Sequence, residues 1–183
     1  MKFVLSLIAV GLIAVPVLIH AQTAGTGVDR LTATTVNTGA AGEPVRIEVM
    51  KWSSDADRTN LLTAFAKGDK DFQTALSAAP TVGYLWTAGT AGYLLKFAVK
   101  TAMPDGTERI VMAIERPLAV PNRPLPAGAP DYPFTLIDVR IDAKKVGEAK
   151  SSFGGKIVAD QQAKLLAIEN YAGAPVVLNN VKR

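Results

Sequence analysis

The stretch FTLIDVRID, residues 134 to 142, limits the possible folds of this chain, because apolar and charged side chains alternate from Ile137 to Asp142. Thr135, Ile137, Val139 and Ile141 share one face of a strand, whereas Asp138, Arg140 and Asp142 share the other. Side chains alternate across a strand with a period of two, and antiparallel sheets commonly bury one face. The segment therefore predicts an antiparallel strand with one face in the core and the charged face in water.

The residues that follow predict the partner of this strand. If residues 143 to 145 form a hairpin loop, Arg140 lies opposite Glu148 and Asp138 lies opposite Lys150. Each such cross-strand pair of opposite charge contributes a few tenths of a kcal/mol up to about 1 kcal/mol. This register favours a structural role for Asp138, Arg140 and Glu148 over a role as a catalytic trio.

A helical hairpin is predicted over residues 54 to 78. Leu61, Leu62 and Phe65 recur at helical spacing, and Gly68 follows as a stop signal. Ser54 and Asp57 are spaced as a short capping box at the start of the first helix. The helix dipole also stabilises the negative charge of Asp55 in this first turn. We expect these acids to serve the helix start, and no metal site or cofactor is predicted.

Strand-like segments dominate the rest of the chain. Residues 30 to 36 are predicted to form an edge strand, and residues 117 to 133 hold six of the eleven prolines, which excludes a helix or a central strand there. This proline-rich loop is interpreted as a stiff crossover, with a lid or a polyproline ligand segment as the alternative. The predicted fold is a β-dominated α+β domain, an antiparallel barrel or two-sheet sandwich of roughly eight to ten strands with the helical hairpin inserted.

Residues 1 to 21 are typical of a secretory signal peptide, because one lysine precedes a long apolar run that ends at a small residue, Ala21. The prediction is a single β-rich domain over residues 22 to 183, exported to the periplasm or the extracellular space, with no stable membrane insertion after cleavage. An uncleaved anchor is the alternative, since the apolar run from Phe3 to Ile19 reaches the lower limit for a membrane span.

Cysteine is absent from the sequence, and the single histidine, His20, lies within the predicted signal peptide. This composition excludes nucleophiles activated by histidine and zinc sites built from cysteine and histidine in the mature chain. Carboxylates, lysine and tyrosine remain as candidates for catalysis. The net charge of +4 falls to +3 when Lys2 is removed, and the basic residues are dispersed, so nucleic acid is not predicted as a partner.

Aromatic residues give the positive indication of a ligand site. Tyr84 and Trp86 share one face of a predicted strand, and Tyr93 and Phe97 share one face of the next, with Trp52 at a strand end. These five residues are predicted to line one cavity for an apolar or aromatic ligand, with an ordinary hydrophobic core as the alternative. Glu48 and Glu115 are predicted to face solvent, which would leave the interior without an acid.

The chain resembles uncharacterised secreted bacterial proteins that carry a signal peptide, a Trp-Ser-x-Asp joint into a helix pair and a C-terminal hairpin. Here these elements are residues 52 to 55, residues 54 to 78 and the DYPFTLIDVRID segment at residues 131 to 142. The resemblance implies a shared fold and no particular activity, so no functional residues are carried over.

Three hypotheses on function follow from the sequence. The leading one is an exported, non-enzymatic protein that binds a small apolar or aromatic ligand, or a protein partner, through the barrel mouth or a sheet edge. The first alternative is a histidine-free enzyme that uses carboxylates or tyrosine inside a barrel. The second alternative is a structural component of the cell envelope.

Overall fold

The computed structural model describes residues 27–36, 42–87, 91–118, 125, 127–153, 155–160, 163–174 and 176–183. Within these residues the chain forms ten strands, two α-helices and one short 3-10 helix. In chain order the elements are β1 (Asp29–Thr35), β2 (Pro44–Val49), α1 (Asp55–Lys67), α2 (Asp69–Ala78), β3 (Gly83–Thr87), β4 (Tyr93–Ala102), β5 (Glu108–Ile114), β6 (Thr135–Ile141), β7 (Val146–Ser151), β8 (Ile157–Asp160), β9 (Leu165–Ile168), the 3-10 helix (Tyr171–Gly173) and β10 (Val176–Lys182).

Eight of the strands close into an antiparallel barrel in the order β1-β10-β7-β6-β5-β4-β3-β2, and β8 and β9 form a separate hairpin. The predicted β-dominated α+β class with an inserted helical hairpin is confirmed, and the sheet is a barrel rather than a sandwich. The prediction of an edge strand at residues 30 to 36 is wrong, because β1 pairs with β10 on one side and with β2 on the other. Closure leaves none of the eight barrel strands with an open edge.

The barrel interior is filled by apolar side chains from alternate positions of its strands. Ile47, Leu85, Leu95, Ile110 and Val139 are all essentially inaccessible to solvent. This packing follows from the period-two alternation that the sequence shows, because every second residue of a barrel strand points inward. The interior is therefore a hydrophobic core of the usual kind for a small barrel.

A second core lies on the outside of the barrel, against β4, β5 and β6. The helices α1 and α2 and the β8–β9 hairpin cover these strands and bury Phe72, Phe134 and Leu166. Phe72 packs against Phe134 with ring centroids 4.5 Å apart. The barrel thus has a covered side, at β4 to β6, and a side formed by β1, β2 and β3 that neither the helices nor this hairpin covers.

The start of α1 follows the predicted capping box. The Ser54 hydroxyl accepts a hydrogen bond from the Asp57 backbone N–H at 3.2 Å, and the Asp57 carboxylate accepts one from the Ser54 N–H at 2.8 Å. The backbone of Ser53 is tied to β4, because its N–H donates to the Ala98 carbonyl at 2.8 Å. Among the described residues no group of three or more acids or histidines is placed to hold a metal ion.

The predicted register of the β6–β7 hairpin is confirmed, since Asp138 pairs with Lys150 and Arg140 pairs with Glu148. The prediction that the charged face of β6 lies in water is wrong for Asp138, which is fully buried. The reason is the second core, because the β8–β9 hairpin and the 3-10 helix cover the outer face of β6 and β7. Local alternation does not reveal this covering layer.

The proline-rich loop links β5 to β6, and its described residues contain neither helix nor strand. The predicted signal peptide, residues 1 to 21, lies outside the described residues. Among the helices that the structure describes, none is both long and apolar enough to cross a membrane.

Candidate functional site

The five aromatic residues that the sequence groups into one cavity are distributed over three places. Trp52 and Tyr93 belong to the barrel core, and Phe97 belongs to the second core outside the barrel. Tyr84 and Trp86 lie on the outer surface of β3, where both side chains are partly exposed. The predicted shared cavity is therefore wrong as a geometric arrangement, although the two residues on β3 remain together.

Phe97 leaves the group because of an irregularity in β4. The pairing of β4 with β5 shifts between Leu95 and Phe97, which adds one residue to β4 at this point. Leu95 and Ala98 consequently face the barrel interior, whereas Phe97 faces the second core. A bulge reverses the faces of the residues that follow it, and strict alternation in the sequence does not predict its position.

Trp52 and Tyr93 are each covered by a cation. The Lys100 ammonium lies 4.8 Å from the Trp52 ring centroid, and the Arg116 guanidinium lies 4.4 Å from that of Tyr93. Both residues are 7 % exposed, so their side chains form part of the hydrophobic core. In the barrel interior, where the sequence predicts a ligand cavity lined by aromatic residues, Trp52 and Tyr93 pack as core residues.

Tyr84 and Trp86 stack on each other outside the barrel. Their ring centroids are 5.4 Å apart and their planes meet at 24°. The Trp86 ring also rests against Gly92, where an added Cβ atom would lie 2.9 Å from the indole and where φ is +83°. Glycine at position 92 therefore lets the backbone approach the indole closely.

Charged and aliphatic neighbours surround this stack. Across the β2–β3 pairing, Arg46 lies opposite Trp86 and Glu48 lies opposite Tyr84, and on β4 Leu94 lies opposite Tyr84. Leu94 is 38 % exposed, which is unusual for a leucine on a strand. We call the surface formed by Arg46, Tyr84, Trp86 and Leu94 the aromatic face.

The two glutamates predicted to face solvent lie on the outer surface, and each takes part in an ion pair. Glu48 lies 3.4 Å from Arg30, and Glu115 lies 3.8 Å from Lys96. Arg46, in contrast, is exposed and makes no ion pair with another described residue. The aromatic face therefore carries an excess positive charge beside its exposed rings.

A buried charged cluster lies beneath the β8–β9 hairpin, and the sequence does not reveal it. The Arg109 guanidinium donates to the Asp138 carboxylate at 2.7 Å and approaches the Asp160 carboxylate at 3.3 Å. Burial raises the pKa of Asp138, and the Arg109 hydrogen bonds and charge oppose this rise only in part. Two sequence signals exist for this pair: Arg109 and Asp138 fall on the same side of two neighbouring strands, and the apolar Leu136 shares the face of Asp138.

Tyr171 covers the rest of this cluster. Its ring lies 3.6 Å from the Arg140 guanidinium carbon, and the Lys150 ammonium donates to the Tyr171 carbonyl at 2.6 Å. Burial raises the pKa of the Tyr171 phenol, with the nearby Asp138 and Glu148 carboxylates acting in the same direction. A phenol with a raised pKa stays protonated at neutral pH and so cannot accept a proton, and a buried Asp138 cannot touch a substrate.

Comparisons of the chain with protein-family models, with curated proteins and with solved structures find no match.

Proposed function

We propose that this chain is an exported, non-enzymatic binding protein that docks a protein partner on its aromatic face. The signal-like character of residues 1 to 21 supports the proposed export. The observation that carries the proposal is the stacked, partly exposed Tyr84–Trp86 pair on the uncovered side of the barrel. Tryptophan, tyrosine and arginine are the residue types that most often dominate protein–protein binding energy, and all three occur together here.

The shape of the surface favours a protein over a small molecule as the occupant. Small-molecule sites are concave and bury most of the ligand, whereas the aromatic face is the convex exterior of a barrel. Leu94 extends the apolar area next to Tyr84. Partly exposed apolar side chains grouped on one surface are typical of an interaction site.

The charge of the face defines the chemistry of the partner. Arg46 lies beside the rings and has no carboxylate partner among the described residues, while Glu48 is already paired with Arg30. A partner that places an acidic side chain over Arg46 and an apolar side chain over the rings would satisfy both features.

The alternative of a histidine-free enzyme has less support. The best candidate for a catalytic carboxylate, Asp138, is buried and paired with Arg109. The best candidate phenol, Tyr171, has a raised pKa and packs against the cations of Arg140 and Lys150. An active carboxylate would need access to a substrate as well as a shifted pKa. The charged cluster is better explained as an attachment that holds the β8–β9 hairpin on the barrel.

Site-specific photocrosslinking in the native host tests the proposal. A photoreactive amino acid at position 94 should capture one partner, whereas the same group at Val146, which is similarly exposed at 37 % compared with 38 %, should not. With that partner purified, Trp86→Ala should weaken binding by about 2 kcal/mol or more, as expected for an interface hot spot. Arg46→Glu should also weaken binding, and Lys51→Ala should leave it unchanged.

Circular dichroism of each variant must show a folded barrel before its affinity is compared. Equal crosslinking at positions 94 and 146, or unchanged affinity of Trp86→Ala, would contradict the proposal. Capture of a second copy of the chain would replace the proposed partner with self-association.

A further inference from the structure

A separate depression lies where β5 leads into the proline-rich loop and β6 begins. It encloses about 230 Å³. We call this depression the proline pocket. Its lining residues include Pro117, Leu118, Pro130, Tyr132, Phe134 and Ser152. It lies between the two hydrophobic cores, because Leu118 packs against the barrel core and Tyr132 packs against the second core.

An array of aromatic rings ends at this pocket. Phe65 contacts Phe72 edge-on at 5.7 Å between centroids, Phe72 contacts Phe134 at 4.5 Å, and Phe134 contacts Tyr132 at 5.3 Å. Aromatic pairs gain free energy beyond the area they bury, at centroid separations of this size. A further ring in the pocket would continue the array at Tyr132, since Phe134 is itself buried.

Ser152 supplies one hydrogen-bond donor to the pocket. Its side chain is buried, its oxygen accepts from the Leu136 N–H at 3.0 Å, and its hydroxyl proton has no acceptor among the described residues. Thr135 differs, because its hydroxyl both accepts from the Leu118 N–H and donates to the Arg116 carbonyl. Ser152 can therefore donate to a ligand without losing a bond to the protein.

The remaining walls restrict the charge and size of the ligand. Asp131 is the charged residue among the described lining residues, so an anionic ligand is disfavoured. An apolar cavity of about 150 Å³ accepts benzene. A space of about 230 Å³ therefore admits one ring with a short substituent.

We propose that the proline pocket binds a neutral molecule with a single aromatic ring and a hydrogen-bond-accepting substituent. The ring packs against Tyr132, and the substituent accepts a hydrogen bond from the Ser152 hydroxyl. This site is independent of the aromatic face, which lies on β2, β3 and β4.

Titration of the full mature chain with acetophenone, followed by two-dimensional NMR, tests this proposal. We expect saturable shifts at Tyr132 and Ser152. Cyclohexyl methyl ketone, which lacks the ring, and benzoate, which is anionic, should each bind at least about tenfold more weakly, a difference of about 1.4 kcal/mol.

Variants locate the site and the hydrogen bond. Leu125→Phe should fill the pocket and weaken acetophenone binding, whereas Met50→Phe should not; the two parent residues are 36 % and 41 % exposed, so neither change disturbs a core. Ser152→Ala should weaken acetophenone about tenfold and leave toluene unchanged, since toluene cannot accept a hydrogen bond.

Several results would overturn the proposal. These are an absence of saturable binding, equal affinity for the saturated ketone, or an affinity that Leu125→Phe does not change. Because the aromatic face is tested by Trp86→Ala and crosslinking at position 94, failure of either proposal is distinguishable from failure of the other.

Discussion

Asp138 is a fully buried carboxylate on β6, covered by the β8–β9 hairpin and paired with the Arg109 guanidinium at 2.7 Å. Burial of a carboxylate favours its neutral form, and the Arg109 guanidinium favours the charged form. Burial prevails, so the pKa of Asp138 in the folded protein is raised above its ordinary value of 3.8.

The raised pKa of Asp138 predicts that the free energy of unfolding depends on pH in the acidic range. A group with a higher pKa in the folded state binds protons more readily there, so the contribution of Asp138 to stability is fully present below its ordinary pKa. That contribution is lost as the pH rises through the raised pKa of the folded state. Urea unfolding at a series of acidic pH values should show this loss, and Asp138→Asn should remove it.

Arg109→Met provides the complementary test, because it leaves the Asp138 carboxylate buried without its main partner. Breaking a buried ion pair from one side costs about 3 to 5 kcal/mol at neutral pH. The cost should shrink in acid, where Asp138 is neutral. Arg30→Met is the control, since its parent side chain is 66 % exposed, and it should change stability by less than about 0.5 kcal/mol. If Arg109→Met lowered the free energy of unfolding equally at all pH values, the buried Arg109–Asp138 ion pair would not explain its effect.

At the scale of elements, the sequence predicts what local chemistry determines. Ser54 and Gly68 mark the ends of α1 as predicted, and the charges of Arg140 and Glu148 predict the register of the β6–β7 hairpin. The bulge that redirects Phe97 and the hairpin that covers Asp138 depend on contacts between distant segments. Local periodicity carries no information on such contacts, so the candidate site could be predicted only in part, through Tyr84 and Trp86.

The helix pair offers a direct test of its predicted start. Ser54→Ala removes the side-chain acceptor for the Asp57 N–H and should lower the free energy of unfolding by about 1 kcal/mol, the usual cost of losing an N-cap. Ser77→Ala, at an exposed position near the end of α2, is the matched control and should have little effect. Chemical denaturation measures both. A calcium-dependent or magnesium-dependent rise in melting temperature that Asp57→Asn abolishes would show that the capping role is incomplete.

The barrel closes between β1 and β10, the first and last strands of the described chain. The pairing of β1 with β10 is irregular, with a register shift between Thr32 and Thr34. Ion pairs reinforce this seam at one end of the barrel, because Arg183 lies 2.8 Å from Asp29 on β1 and 2.6 Å from Glu108 on β5. One side chain thus joins three strands that are far apart in the sequence.

Arg183→Ala should therefore weaken the closure of the barrel more than an ordinary surface substitution. The Arg183 side chain is 26 % exposed and contacts two carboxylates, so we expect a loss of about 1 kcal/mol, the upper end for a partly exposed ion pair. The loss should diminish at high salt, because screening weakens exposed charge pairs. Lys182→Ala is the matched control, as Lys182 is exposed and adjacent in sequence. Hydrogen exchange should locate the effect in β1 and β10, and an equal loss in both variants, or one that salt does not change, would show that Arg183 does not hold the seam.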